Sequence, residues 1–183
     1  GARLAADHKG RYGWFAALPL PDVDASLREI EYAFDTLHAD GIGLLTSYGD
    51  IWLGDRRLQP VFDELNRRRA IVFTHPTDAA CCHQLANSNP SVVEWFTDTA
   101  RTIQSLLLET PGANGAAAGP SAATRYNNVT FIWSHGGAAL VGMTHVVGNA
   151  SAEALGATPP PDSPLQHICR FYYATPGDDN PHF

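Results

Sequence analysis

Ala70-Ile71-Val72-Phe73-Thr74-His75-Pro76 is a short apolar run, rich in bulky and β-branched residues, that stops at a histidine followed by a proline. The design returns as Val129-Thr130-Phe131-Ile132-Trp133-Ser134-His135-Gly136-Gly137. Each reads as a fully buried strand that ends on an imidazole, with a chain-breaking residue straight after it. In a parallel α/β protein all strands point the same way, so His75 and His135 open onto one face. Such folds put their chemistry on that face.

Three further strands fit around these two: an apolar run at residues 12–18 ended by Pro19 and Pro21, a second at residues 42–47, and a third at residues 169–175. Helices separate most of them. One tail spans residues 3–9 with Gly10 as its stop. The next is capped by Asp22 or Asp24, carries Ala25, Leu27, Ile30, Ala33, Phe34 and Leu37 on an apolar stripe, and is closed by Gly41. Leu58, Val61, Phe62 and Leu65 mark another. A long loop through Asn89 then leads past Pro90 to a helix with Val92, Val93, Phe96, Ala100, Ile103, Leu106 and Leu107 as its core face. Residues 111–124, almost wholly Gly, Ala, Pro, Ser and Asn, read as a flexible surface insertion within one domain spanning residues 1–183. A helical stretch around 138–147 and a loop at Pro159-Pro160-Pro161 complete the pass.

Strands alternating with helices are the signature of a parallel sheet built from right-handed βαβ units. The choices are an open doubly wound sheet or part of a (β/α)₈ barrel. No glycine-rich phosphate loop follows any strand, because Gly136-Gly137 is not G-x-G-x-x-G and no Walker pattern occurs. A nucleotide-binding sheet loses ground. A whole barrel takes about 250 residues, and five strands cannot close one, so an open sheet and part of a barrel both stand at this point.

Composition narrows the function classes. At 183 residues and 44% hydrophobic the chain can bury a sizeable core, and a formal net charge of −7 with pI near 5.5 argues against a nucleic-acid surface. Arg67-Arg68-Arg69 is the single basic run; at a helix end it reads as complementing the helix dipole. Three cysteines, with Cys81 and Cys82 adjacent, make neither a disulfide framework nor a zinc finger. No run approaches the roughly 20 apolar residues of a membrane span, and residues 1–8 hold no apolar signal core. A cytoplasmic location with no nucleic-acid or membrane partner is the expectation. The acceptor patterns at Asn128 and Asn149 are discounted on the same ground.

With the strand-end histidines in place, a family resemblance becomes legible. The runs Phe15-Ala16-Ala17-Leu18-Pro19-Leu20-Pro21-Asp22 and Gly41-Ile42-Gly43-Leu44-Leu45-Thr46-Ser47-Tyr48-Gly49-Asp50 are similar to those of the amidohydrolase-related decarboxylases. Phe73-Thr74-His75-Pro76 and Phe131-Ile132-Trp133-Ser134-His135-Gly136-Gly137 match that family's two histidine motifs. Phe171-Tyr172-Tyr173-Ala174-Thr175, with Asn180-Pro181-His182, resembles its next-to-last strand and the loop after it. Members include aminocarboxymuconate semialdehyde, γ-resorcylate and 6-methylsalicylate decarboxylases, and the motifs resemble those of the last.

The resemblance implies an amidohydrolase-type (β/α)₈ barrel, with this chain covering about strands three to seven. It implies a divalent metal, zinc or in some members manganese, with His75 as a ligand. His135 would be the acid/base that orients the substrate and relays a proton. The family's other ligands come from a His-x-His or Glu-x-His pair and a Gly-Ser-Asp-Tyr-Pro-like stretch, neither of which occurs in this sequence. The implied activity is non-oxidative decarboxylation of a small aromatic acid of the 6-methylsalicylate type. The alternatives are a metal-dependent lactone or amide hydrolase of the same superfamily and a catalytically inactive barrel fragment. Trp14, Tyr48, Trp52 and Trp133, near strand ends, are candidates to wall a flat ring. The remaining histidines read as surface or supporting residues, and Asp178 and Asp179 as poor substitutes for the missing carboxylate. Unpaired strand edges lead to the expectation of a homodimer or homotetramer.

Overall fold

The computed structural model describes residues 1–77, 89, 93–107, 121–140, 168 and 170–174. After a short helix α1 (Ala2–Asp7), five parallel strands form one sheet in the order β1 (Phe15–Ala17), β2 (Gly41–Leu45), β5 (Ile71–His75), β6 (Thr130–Trp133), β7 (Tyr172–Tyr173). A small antiparallel hairpin of β3 (Ser47–Tyr48) and β4 (Ile51–Trp52) rises from the end of β2. Between the strands lie α2 (Val23–Glu31), α3 (Gln59–Arg67), α4 (Glu94–Leu107) and α5 (Ala122–Arg125).

The strand order decides between the two architectures. A doubly wound sheet reverses its order at a switch point and carries helices on both faces. Here each parallel strand lies beside the next one along the chain, which is how a barrel winds. The two faces of the sheet agree. Ala16, Ile42, Leu44, Val72, Thr74, Phe131 and Trp133 alternate onto one face and are buried among the helices. Full burial of each large apolar side chain there is worth about 1.5–3 kcal/mol. The opposite face carries Phe15, Leu45, Ile71 and Tyr172, which are 41, 42, 37 and 63% exposed. Exposed large apolar side chains on the face turned away from the helices are what the lumen side of part of a barrel presents.

Register explains how that face is filled. Gly41 pairs with Phe15, and Gly43 pairs with Phe73. Small residues at both positions let the Phe15 ring lie across β2 to within 6.3 Å of the Phe73 ring. A Cβ at Gly41 would collide with the Phe15 ring and stand 2.6 Å from the Ile71 carbonyl oxygen. Gly41 is therefore a packing glycine at the start of β2, not the helix stop expected from sequence. The stop comes earlier. After α2, capped by Asp22 Oδ1 accepting from the Ala25 amide at 2.9 Å, the chain passes through a π-helical turn, Tyr32–Thr36, and ends at His38 in the left-handed region (φ 54°).

Other expectations change for similarly local reasons. The first strand begins at Phe15 rather than residue 12, because the Trp14 amide donates to the Asp40 carboxylate at 2.8 Å instead of to a neighbouring strand. Arg67 and Arg68 do not simply face a helix dipole. Arg67 binds Glu64 through two nitrogens, and Arg68 bridges Glu64 and Asp35. Arg67, aided by Arg68, holds the Glu64 carboxyl down at about 2. The C-terminal end of the glycine- and alanine-rich stretch is ordered: Ser121 caps α5 by accepting from the Thr124 amide, and Ala122 and Ala123 are buried. Residues 111–120, the stretch 141–147, Pro159-Pro160-Pro161, the Cys81-Cys82 pair, His83, His145, His167, His182, Asp178 and Asp179 lie outside the described residues. No helix among the described residues is long and apolar enough to cross a membrane.

Candidate active site

His75 is the last residue of β5, and its parity with Ile71 and Phe73 puts it on the lumen face. Its Nδ1 lies 2.9 Å from the carbonyl oxygen of Pro76. A carbonyl can only accept, so the neutral ring carries its proton on Nδ1 and presents the lone pair of Nε2. That tautomer is the one a metal-ligating or proton-accepting imidazole needs.

His135 stands two residues past β6, not on the strand itself, in a one-turn 3₁₀ segment His135–Gly137. Four consecutive residues there have positive φ: His135 at 53°, Gly136 at 63°, Gly137 at 76° and Ala138 at 55°. Two of the four are not glycine, and each such residue costs of order 1–3 kcal/mol. Neighbouring contacts hold the turn. The Gly136 amide donates to the Ala174 carbonyl at 2.8 Å, extending the β6–β7 ladder. Gly137 packs so closely on the Tyr173 ring that a Cβ would lie 2.5 Å from it. The sharp turn brings His135 back over the lumen.

The two imidazoles meet at the C-terminal end of the sheet, with ring centroids 5.3 Å apart and planes at 71°. Burial first, and the neighbouring His75 second, push the His135 pKa below its ordinary value. Its Nδ1 is buried and has no hydrogen-bond partner among the described residues, which leaves Nε2 as the nitrogen to exchange a proton with a ligand.

Two aromatic residues that sequence reasoning did not single out as site residues complete the cluster. Trp95, in the first turn of α4, stacks on His135 at 5.9 Å with planes 8° apart and meets His75 edge-on at 5.6 Å. Phe96 stacks on His135 at 5.8 Å and remains 40% exposed, although helical spacing had assigned it to the core. A Trp-Phe pair opening the helix that follows the His75 loop was the available signal.

The expected ring-walling residues divide. Tyr48 and Trp52 lie half-buried on the hairpin that rises from the end of β2, at the same end as the imidazoles. The Tyr48 hydroxyl accepts from the Leu45 amide at 3.0 Å, and burial raises the phenol's pKa. Trp14 precedes β1 and so sits at the opposite end of the sheet. The structure does not bring it to the histidines. Trp133 is fully buried on the helix-facing side, stacked on Phe131 at 5.2 Å, and is a core residue.

His75 has the orientation of a metal donor, but the donor set is incomplete. Among the described residues no group of three or more His, Cys, Asp or Glu side chains could hold a metal ion. A catalytic zinc wants three protein ligands and an open position. The described residues thus fit one ligand of such a site and not the whole.

Residues 2–159 match the family model for amidohydrolases. Decarboxylase yanB of Aspergillus niger is 34% identical over 97% of this chain and 49% of its own length. The 6-methylsalicylic acid decarboxylase of Penicillium expansum is 50% identical over 37% of this chain and 22% of its own. Among solved structures, a dihydroxybenzoic acid decarboxylase from Polaromonas, with bound manganese and the inhibitor 2-nitroresorcinol, superposes with a TM-score of 0.69 at 17% identity, covering 97% of this chain and 54% of that one. The chain spans about half the length of the curated relatives it matches along most of its own sequence. The matched family model and the one-way winding of the sheet lead to the same place: the chain belongs to the amidohydrolase family.

Proposed function

We propose that this chain forms part of a metal-dependent, non-oxidative decarboxylase of a small aromatic acid of the 6-methylsalicylate type. The observation that carries the reading is the pair of lumen-facing imidazoles 5.3 Å apart beneath Trp95 and Phe96. Two carboxylates, as a glycosidase needs, or a serine with its base would point elsewhere. Relatives named as decarboxylases over nearly the whole chain support the same reaction class.

His75 would hold zinc or manganese, whose charge would anchor the substrate's carboxylate and phenolic oxygen, with the other donors supplied from outside the described residues. The protein's own part in the reaction falls to His135. Neutral at rest, its Nε2 takes the phenolic proton of a 2-hydroxybenzoate and returns it to the ring carbon that bears the carboxylate. That carbon becomes tetrahedral and the ring a dienone. Cleavage of the carbon–carboxylate bond then releases CO₂, its electron pair restores the aromatic ring, and the resulting phenolate takes one proton from solvent. Trp95, Phe96, Tyr48 and Trp52 would flank the flat ring and limit water. A homodimer or homotetramer in the cytoplasm remains part of the same proposal, supported by β1 and β7 standing at the edges of the sheet.

Incubating the full-length enzyme with 6-methylsalicylate is expected to yield CO₂ and 3-methylphenol in equal amounts. Lactone hydrolysis without CO₂ would move the protein to the hydrolase reading. Neither activity from a folded, metal-loaded protein would favour an inactive barrel. Trp95→Leu tests the ring wall: it is expected to raise KM about tenfold, the equivalent of one lost aromatic stack, with a smaller change in kcat.

A further inference from the structure

Helix α4 carries a second stripe beside its apolar one. Asp98, Thr102 and Ser105 follow at helical spacing and face the end of β2 and the hairpin, not solvent. Ser105 Oγ accepts from the Gly54 amide at 3.0 Å, and Thr102 Oγ1 accepts from the Leu53 amide at 3.4 Å. Asp98 differs from its neighbours in being a carboxylate that is 1% exposed. A polar staple between a helix and a hairpin does not require a buried charge, and burying one is costly.

The partners of Asp98 show what the carboxylate reaches. Thr46 Oγ1 donates to its Oδ2 at 3.1 Å, and the Thr77 amide also donates to it. Thr46 is a junction: its amide donates to the His75 carbonyl at 3.1 Å, and its Oγ1 accepts from the Thr77 amide at 3.3 Å. Pro76 has no N–H, so among the described residues the segment that leaves β5 is held by Thr46 on either side of it. The Pro76 carbonyl is the atom that fixes the His75 ring. Arg101, 42% exposed and 3.8 Å away, is a loose counter-charge. One turn before Asp98 on the same helix lies Trp95, against both imidazoles.

We propose that Asp98 is the positioning residue of the site: through Thr46 and Thr77 it fixes the His75–Pro76–Thr77 segment, and with it the tautomer and aim of His75, while setting the height of Trp95 above the two rings. The role of His75 as a donor rests on the function proposed above; its orientation by Asp98 does not. Outer partners of this kind change metal affinity by about 10- to 100-fold when removed.

The test uses the full-length protein labelled with ¹⁵N-histidine, with the His75 signals assigned by their loss in His75→Gln. In the wild type the ring is expected as a single Nδ1–H tautomer. Asp98→Ala is expected to move it to an exchange-averaged mixture and to weaken zinc binding at least tenfold, whereas Asp98→Asn, which keeps both acceptor contacts on Oδ1, restores most of each. Thr46→Val reproduces the defect with the Asp98 side chain still in place, because it removes the hydroxyl that links the carboxylate to Thr77, and serves if Asp98→Ala fails to fold; Thr46→Ser rescues it. Arg101→Gln is expected to change neither readout. Unchanged His75 signals in a folded Asp98→Ala or Thr46→Val protein would overturn the proposal, even if thermal stability fell. A wild type that releases no CO₂ from 6-methylsalicylate would sink the decarboxylase reading and leave the tautomer result to decide this one.

Discussion

Replacing His135 by glutamine in the full-length enzyme lowers kcat for CO₂ release by about a hundred- to ten-thousandfold, the usual worth of a positioned acid/base, and leaves KM within a few-fold. Glutamine fills the space beneath Trp95 and can still hydrogen-bond, but it cannot accept a proton and pass it on. The pH profile makes the assignment specific. Burial and then the neighbouring His75 disfavour the imidazolium form of His135, so its pKa lies below the ordinary 6.5. The neutral ring can take a proton and the charged ring cannot. For the wild type, kcat/KM should therefore rise with pH through a point below 6.5 and level off toward neutrality. In His135→Gln that limb should be gone from the residual rate. Stability carries the same sign. Between 6.5 and the lower folded-state value the unfolded chain binds more protons at this site, so His135 subtracts stability as the pH falls through that window, and the glutamine variant is spared. An acid limb that survives the substitution unchanged would hand the relay to another group.

The fold was legible because it rests on local signals that tertiary context did not override. Apolar runs bounded by Pro and Gly marked the strands, and the parallel order followed from helices between them. Limits were misread where a side chain replaced a ladder bond, as Asp40 does at Trp14, or where a glycine served packing and not termination, as at Gly41. The histidine pair was legible since each imidazole closes a run in parallel strands. Trp95 and Phe96 were not: Phe96, at helical spacing, looks like core until the helix is docked, and Trp95 falls outside that apolar stripe. Beside its apolar face, α4 is pinned to the hairpin by the stripe Asp98, Thr102 and Ser105, three polar residues that periodicity alone sends to solvent. The end of the sheet also gathers buried polar atoms with no partner among the described residues, Ser47 Oγ, Thr74 Oγ1 and Ser134 Oγ among them. Such departures from a satisfied interior collect where a fold has been bent to a task.

Substituting His75 by alanine should be still more damaging, because it removes a donor and not merely a relay. Loss of an outer-shell partner already costs about 10- to 100-fold in metal affinity, so loss of the imidazole itself is expected to exceed about a hundredfold and to bring CO₂ release down to background. Metal content measured by atomic emission after desalting, alongside turnover of 6-methylsalicylate, checks both. The comparison variant is His38→Asn, an exposed histidine at a helix end whose left-handed backbone (φ 54°) asparagine tolerates, and it should behave as the wild type. The metal-free His75→Ala protein has a further expected signature. Without His75 nearby the His135 pKa rises, yet it stays under 6.5, because burial is the larger of the two causes and burial remains. That combination separates a lost donor from a collapsed site, in which His135 would become exposed and titrate at its ordinary value. If His75→Ala keeps both metal and turnover, the His75 ring does no more than donate to the Pro76 carbonyl, and the metal must be sought on residues other than the strand-end pair.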